Sequence, residues 1–374
     1  VSALIELPEL EVESFAGLGG AAFGIEAATQ RPVALALNHS QHAIAQHWVL
    51  HPRTHHLLQD VWKVDPRHVC AGRRVGLFWA SPDCTHFSRA KGGKPVSRKV
   101  RGLAWAVVRW AKTVRPRIMI VENVEEFTTW GPLLEDDTPD PARRCMYFRR
   151  WVRQLERLGY TVEWKSVAAH DYGAPTTRSR LFVIARCDGR PIVWPLPSHG
   201  PGRASPHRPM SEVIDWSLPM LSVYDRLAPK TIARIDRGID QFVTGLGGPT
   251  FVHRVDGHPV AAFIAQHNGG QTGKPLTVPL PTITTRDRHA LVTVGVVKSD
   301  AGPVHLEGQR WAVGEVGHRM LAPVELAGAM GFPSGIELIG TKEKQSAGIG
   351  NAVSPRIAVA LVAANYQPDQ ASAS

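Results

Sequence analysis

Cysteine is scarce in this chain, and what there is lies scattered. Cys70, Cys84, Cys145 and Cys187 form no CxxC pair. That spacing argues against a zinc ribbon and against a disulfide framework, and it suits a reducing, cytoplasmic compartment. No run of about 18 apolar residues occurs, so no transmembrane helix is expected. The first residues include Glu6, Glu9, Glu11 and Glu13 in place of a basic stretch, so they do not read as a secretory signal. Internal repeats are absent. Acids are outnumbered: 33 Asp and Glu against 43 Lys and Arg leave a net charge of +10. Such an excess fits a polyanionic partner, most simply nucleic acid; the alternative is a basic solvated surface.

The 374 residues, 43% of them hydrophobic, suffice for one large core and a second lobe. Through residue 185 strands alternate with helices, which predicts a doubly wound α/β domain. Val12 to Phe15 reads as the first strand. It enters the turn Phe15-Ala16-Gly17-Leu18-Gly19-Gly20, and a helix follows to Thr29. Glycines there allow a tight turn and close approach of a ligand to a helix N-terminus. Gly17, Gly19 and Ala22 satisfy a loose dinucleotide spacing, so a nicotinamide oxidoreductase is one alternative. The second strand, Val33 to Leu37, ends at Asn38, where such enzymes usually carry an acid for the ribose. His39, His42, His47, His51, His55 and His56 are spread over a helix and a loop, and they read as surface histidines, not as a metal site.

The apolar run Val75 to Ala80 leads into Ser81-Pro82-Asp83-Cys84-Thr85-His86-Phe87-Ser88. This reads as a buried strand that presents Cys84 at its end, where ligands of open α/β sheets sit. A basic, glycine-containing loop comes next, with Arg89, Lys91, Lys94 and Arg98. Ile118 to Val121 is a second buried strand, and it delivers Glu122-Asn123-Val124. A carboxylate directly after four apolar residues is expected to be partly buried and suited to proton chemistry. A helix-capping acid is the alternative. Arg178 and Arg180 alternate at the start of a further strand, facing an anion, a base edge or solvent. Composition then shifts. The expected divisions are 1–190 for the catalytic domain, 191–210 for a linker and 211–316 for an irregular β-rich lobe. Residues 317–366 return to the first domain, and 367–374 form a disordered tail.

With these pieces in order, nearly the whole chain resembles the DNA (cytosine-5) methyltransferases of bacterial or phage type. Phe15 to Gly20 is similar to the S-adenosylmethionine glycine motif, and Ser81 through Ser88 to the catalytic Pro-Cys motif. Glu122-Asn123-Val124 and Arg178-Ser179-Arg180 match the family's Glu-Asn-Val and Arg-x-Arg. Arg319 to Glu325, with Gly331-Phe332-Pro333, is similar to the segment after the variable region. Gly350-Asn351-Ala352-Val353 matches the last motif. Asp83 and Thr85 depart from the usual proline and glutamine around the cysteine, and Thr176 from the usual glutamine before Arg178. Asp83 is expected to face away from Cys84 or to pair with an arginine.

The resemblance implies a Rossmann-like domain that depends on S-adenosylmethionine, with a smaller target-recognition domain. It implies methyl transfer to C5 of a flipped-out cytosine in duplex DNA, at a short specific sequence, through a Cys84–C6 adduct. Cys84 is then the nucleophile, Glu122 steadies N3, Arg180 approaches O2, and Arg178 positions the loop or a phosphate. Phe15, Gly17, Leu18, Gly19, Gly20, Asn38, Asp60, Asn351 and Val353 would hold the cofactor. Ser88, Arg89, Lys91, Lys94 and Arg98, on a closing loop, and Arg286 and Arg288 would contact double-stranded DNA. No metal, membrane or obligate protein partner is implied, and a monomer is expected. A cognate restriction endonuclease is left open. An RNA cytosine-5 methyltransferase and a catalytically impaired DNA-binding relative are the alternatives; the roughly one hundred residues of the 211–316 lobe favour duplex readout.

Overall fold

A computed structural model of the chain describes residues 8–83, 102–135, 137–223, 227–245, 248–267, 271–286 and 288–369. They group into two compact units. One holds the residues up to 172, 179–197 and those from 351 onward; the other holds 173–178 and 198–350.

The first unit is built on a seven-stranded sheet. Its strands are β1 (Leu10–Ser14), β2 (Leu35–Asn38), β3 (His55–Leu58), β4 (Val75–Ala80), β5 (Ile118–Asn123), β6 (Thr161–Ala168) and β7 (Ser179–Arg186), in the order β3-β2-β1-β4-β5-β7-β6. β1 to β5 are parallel. β7 runs antiparallel between β5 and β6. The strand order reverses between β1 and β4, and the crevice at their carboxyl ends is where open sheets take their ligands.

All six residues of β4 are buried, as covering both faces of a parallel sheet requires. Phe78 of β4 stacks on Trp110 of the covering helix, with ring centres 4.8 Å apart. The helices of this unit are α1 (Gly20–Thr29), α2 (Gln41–Leu50), α3 (Pro66–Cys70), α4 (Trp105–Val114), α5 (Met146–Arg157) and, late in the chain, α9 (Pro355–Asn365). α5 buries Phe148, Trp151, Val152 and Leu155, at three- and four-residue spacing, and leaves its arginines outside. α9 lies against α1 so closely that a Cβ on Gly24 would sit 2.2 Å from the Cβ of Ala358. The contact therefore requires glycine. It brings the end of the chain back beside the first glycine turn.

The stretch Lys342–Asn365 is apolar enough on average to pass for a membrane span. It is two helices, broken at residues 352–354, and 56% of its apolar window is buried. Residues 367–369, expected in a disordered tail, are tied down: Arg117 donates to the Gln367 carbonyl at 2.8 Å and lies 3.6 Å from Asp369.

The second unit holds an antiparallel sheet in the order β11-β10-β12-β14-β13, with β8 beside β14 and β9 beside β10. The long members are β10 (His258–Gln266), β12 (His289–Lys298) and β14 (Gln309–Met320); the short ones are β8 (Leu221–Ser222), β9 (Val252–Val255), β11 (Gly273–Pro275) and β13 (Val304–Leu306). The β-rich reading of this region holds, but it omits a helix, α6 (Pro229–Phe242). Its Ile235, Ile239 and Phe242 pack on Phe263 of β10, and Pro229 opens it at the first turn, where a missing N–H costs nothing. The return at residue 317 is also later than expected. β14 runs on to Met320, opposite Ala290, and α7 (Pro323–Ala329) and most of α8 (Lys342–Asn351) stay with this unit. Arg319 and Glu325 form a buried two-pronged pair at 2.7 Å, and both also bind the backbone of Asp215.

Three histidines cluster inside this unit. His318 Nε2 lies 3.5 Å from His267 Nε2, whose other nitrogen lies 3.2 Å from Arg234. Burial, and then the neighbouring His267, push His289 and His318 down to about 4. Between about pH 4 and 6.5 the unfolded chain therefore binds more protons than the folded one, so stability rises with pH across that window. Chemical denaturation from pH 7 to 5 is expected to show a loss on the order of 2 kcal/mol, smaller in His289→Gln. A flat profile would contradict neutral buried imidazoles.

Candidate active site

The carboxyl ends of β1, β4 and β5 carry the residues singled out by the motifs. Ser81 N–H donates to Ser14 O of β1 at 3.3 Å, and Trp79 Nε1 donates to Ser81 Oγ at 3.1 Å. On the other side Asn123 Nδ2 donates to Pro82 O at 3.2 Å, while its own Oδ1 accepts from Val124 N–H at 2.9 Å. The chain that leads to Cys84 is thus fixed from both neighbouring strands. Asp83 is exposed. Cys84 and the basic-loop residues Ser88, Arg89, Lys91, Lys94 and Arg98 lie outside the described residues.

Glu122, the last but one residue of β5, is buried. Its Oε1 lies 3.2 Å from Arg180 Nε on β7; the two side chains are only 8% and 17% exposed. An acid and a guanidinium held together in so dry a place make a preorganised charge pair, one able to meet a partial negative charge on a bound heterocycle. Arg178, read as Arg180's partner on the same strand face, precedes β7 and belongs to the second unit. It is 2% exposed and donates to the carbonyls of Ile283 at 3.1 Å and Gly350 at 2.9 Å. Its guanidinium clamps backbone, which corrects the expectation of a shared strand face.

At the glycine turn, Phe15 adopts φ 60°. For a bulky residue this left-handed conformation is strained, and such strain concentrates at functional sites. The turn is held by Ala16 N–H to Leu37 O at 3.0 Å and by Asn38 Nδ2 to Ala16 O at 2.8 Å. Asn38 Oδ1 accepts from Ser40 N–H at 2.8 Å, so its amide works on the loop from both ends. Gly19 caps α1 at φ 85°, and a Cβ there would fall 2.5 Å from His51 Nε2. A Cβ on Gly17 would meet nothing within 4 Å. Leu18 and Gly20 are buried beneath. Asp60, after β3, is exposed and accepts from Trp62 N–H at 2.9 Å. Asn351 is exposed and Val353 buried, immediately before α9, which packs on α1.

The histidines are only partly a surface set: His39 and His55 are exposed, His42 and His56 half-buried. His47 and His51 are buried. His51 joins Gly19 O, at 3.1 Å, to Glu26 at 3.0 Å. His47 joins Glu13 of β1, at 3.3 Å, to His56 at 2.8 Å. Burial, and then His47, hold His56 down to about 4, so it stays neutral. These side chains buttress the turn from behind. Sequence reasoning misses them, and it misses the tether made by Asn123, although its place right after Glu122 is a signal. Asn123→Ala is expected to lower the single-turnover rate by roughly 10–100-fold, because it frees Pro82 from its bond to β5 and catalytic positioning tolerates little displacement. An unchanged rate in rapid-quench assays would show the tether to be dispensable.

In the second unit, Arg286 is exposed and Arg288 half-buried on the connection from β11 to β12; Arg288 O accepts from His267 N–H at 2.8 Å.

A parallel sheet with one reversed strand, a glycine turn after β1 and an acid–arginine pair at the end of β5 define a Rossmann-like methyltransferase fold. The chain belongs to the C-5 cytosine-specific DNA methylase family, whose sequence profile matches residues 11–218. It is 30% identical over 196 residues to the Type II methyltransferase M1.HphI of Haemophilus parahaemolyticus, covering 50% of this chain and 48% of that one. With the Type II methyltransferase M.SacI of Streptomyces achromogenes it shares 27% over 246 residues, 60% of this chain and 58% of the relative. The chain thus spans about half the length of the curated relatives it matches. Among solved structures, a Spodoptera frugiperda DNMT2 mutant superposes with a TM-score of 0.60 at 12% identity, covering 95% of this chain and 98% of that one. The Entamoeba histolytica methyltransferase EhMeth does so at 0.56 and 14%, covering 95% and 97%.

Proposed function

We propose that this protein methylates C5 of cytosine in duplex DNA, with S-adenosylmethionine as methyl donor. The observation that carries the reading is the buried Glu122–Arg180 pair, set beside the Pro82 segment that Asn123 holds two residues before Cys84.

Cytosine C5 is a weak nucleophile. Addition of the Cys84 thiolate at C6 makes C5 enamine-like and moves charge toward N3 and O2. Glu122, sharing a proton with N3, and Arg180, facing O2, would hold that charge. After methyl transfer a base takes the C5 proton, and Cys84 leaves as thiolate. The target carbon is out of reach inside a stacked duplex, so the base must flip out. Arg178 contributes indirectly by fixing Gly350, next to Asn351.

The residues at the ends of β1, β2 and β3 fit the methyl donor. The space over Gly17 admits a ligand against bare backbone, and Asn38 and Asp60 offer polar edges for its nucleoside. Phe15, Leu18, Gly19, Gly20, Asn351 and Val353 complete the cradle. S-adenosylmethionine supplies an electrophilic methyl group on a positive sulfur, and residues 15–20 accordingly contain no cation. The first unit carries the chemistry; the second, with Arg286 and Arg288, reads the sequence.

The test is incubation with mixed-sequence duplex DNA and S-adenosylmethionine, followed by nucleoside mass analysis and mapping of the modified positions. The reading predicts 5-methylcytosine at one short sequence. Product in RNA alone, or bound S-adenosylmethionine with no product in any nucleic acid, would overturn it.

A further inference from the structure

Away from the candidate active site, the first unit has a cleft of about 840 Å³ between α4 and α5. Trp105, Trp130 and Tyr147 form its aromatic wall, with ring centres 5.6 and 5.8 Å apart along the series. Lys112, Arg143 and Arg150 stand around it, and no acid lies among its described lining residues. Arg143 is held by Asp140 at 2.6 Å. Lys112, Arg150 and Arg153 are exposed and make no ion pair among the described residues.

Two features say what the cleft takes. The first is its place in the chain. Val124 and the turn Glu125–Thr129 run from Glu122 and Asn123 to Trp130, so one short turn joins the cleft's aromatic wall to the strand that carries the acid. The second is length. Arg150, Arg153 and Arg157 share the solvent face of α5, opposite the buried Phe148, Trp151, Val152 and Leu155. At 1.5 Å per residue the stripe runs roughly 10 Å. A DNA strand carries one charge about every 3.4 Å of duplex axis, and its successive phosphates lie roughly twice that far apart along the strand, so the stripe faces about two phosphates in sequence, more than a nucleoside monophosphate offers. Aromatic rings beside the cations suit sugar edges.

We infer that this cleft and the arginine stripe of α5 bind the phosphate backbone of duplex DNA outside the methylated site. The inference rests on the DNA-methylating reading of the active site. It adds a second contact that carries no sequence information and anchors the flank.

The test uses the full chain and a variant with Lys112→Ala, Arg150→Ala and Arg153→Ala. Two duplexes carry the same mapped methylation site, one ending within a few base pairs of it and one extending more than a helical turn on each side. The wild type is expected to bind the long duplex at least ~10-fold more tightly. The variant should lose roughly 10–100-fold on the long duplex and under ~2-fold on the short one, and its salt slope should fall by about 2–3. Its single-turnover rate at saturating DNA should match the wild type. Equal losses on both duplexes, no loss on either, or saturable binding of a free mononucleotide that the variant abolishes would each overturn the inference. Methylation of the short duplex by both proteins would leave the functional reading standing in those cases; no methylation of either duplex by the wild type would remove both.

Discussion

Glu122→Gln is expected to lower the single-turnover rate of methyl transfer by roughly 10³-fold, with DNA affinity changed only a few-fold. The substitution keeps the volume of the side chain. It removes the proton that N3 would share and the charge that faces Arg180 at 3.2 Å. Both losses fall on the step in which negative charge grows on the ring, so they lower the rate more than binding. The pair is also buried, and leaving Arg180 without its anion destabilises the fold by about 3–5 kcal/mol at most. A thermal melt alongside the kinetics separates the two effects: the rate must fall in protein that is still folded at the assay temperature. A folded variant with the wild-type rate would remove Glu122 from the mechanism. Arg180→Lys keeps the charge and loses the planar fork, and an intermediate rate is its natural outcome.

Cys84→Ser should lose more, at least ~10⁴-fold. A serine hydroxyl is almost never ionised near neutral pH, so it is a far weaker nucleophile toward C6 than the thiolate. Without addition at C6, C5 stays too electron-poor to take the methyl group. Binding of the duplex and of S-adenosylmethionine should persist, because neither depends on the thiolate. Turnover within ~10-fold of the wild type would mean that C5 is activated in some other way.

Much of this site can be read from local sequence, because its parts are local. Six apolar residues ending at Ala80, and four ending at Val121, announce buried strands, and the residues just after each run must sit at the sheet's carboxyl edge. Glu122 is legible in that way, and Arg180 by its place at the head of another apolar run. Other parts depend on partners far along the chain. His47 and His51 look like surface residues until Glu13 and Glu26, 34 and 25 positions away, fold against them. Arg178 and Arg180 share a strand face only if both lie in the strand; Arg178 lies just before it, and its carbonyl partners are 105 and 172 residues distant. The antiparallel direction of β7 is equally hidden, since a fully buried apolar run reads the same in either direction. The helix Pro229–Phe242 is different: its Ile235, Ile239 and Phe242 are spaced for a helix, but the surrounding glycines and prolines draw attention to strands.

The most direct test of covalent catalysis through a Cys84–C6 bond is the peptide mass of the protein after reaction with a duplex whose target cytosine bears fluorine at C5. Fluorine cannot leave as a cation, so the proposed final elimination would stall and leave the protein attached to the methylated base. The account predicts an adduct that depends on S-adenosylmethionine and maps to the peptide containing Cys84. Formation of 5-methylcytosine on ordinary DNA with no trapped adduct, or an adduct on Cys70, Cys145 or Cys187, would contradict it.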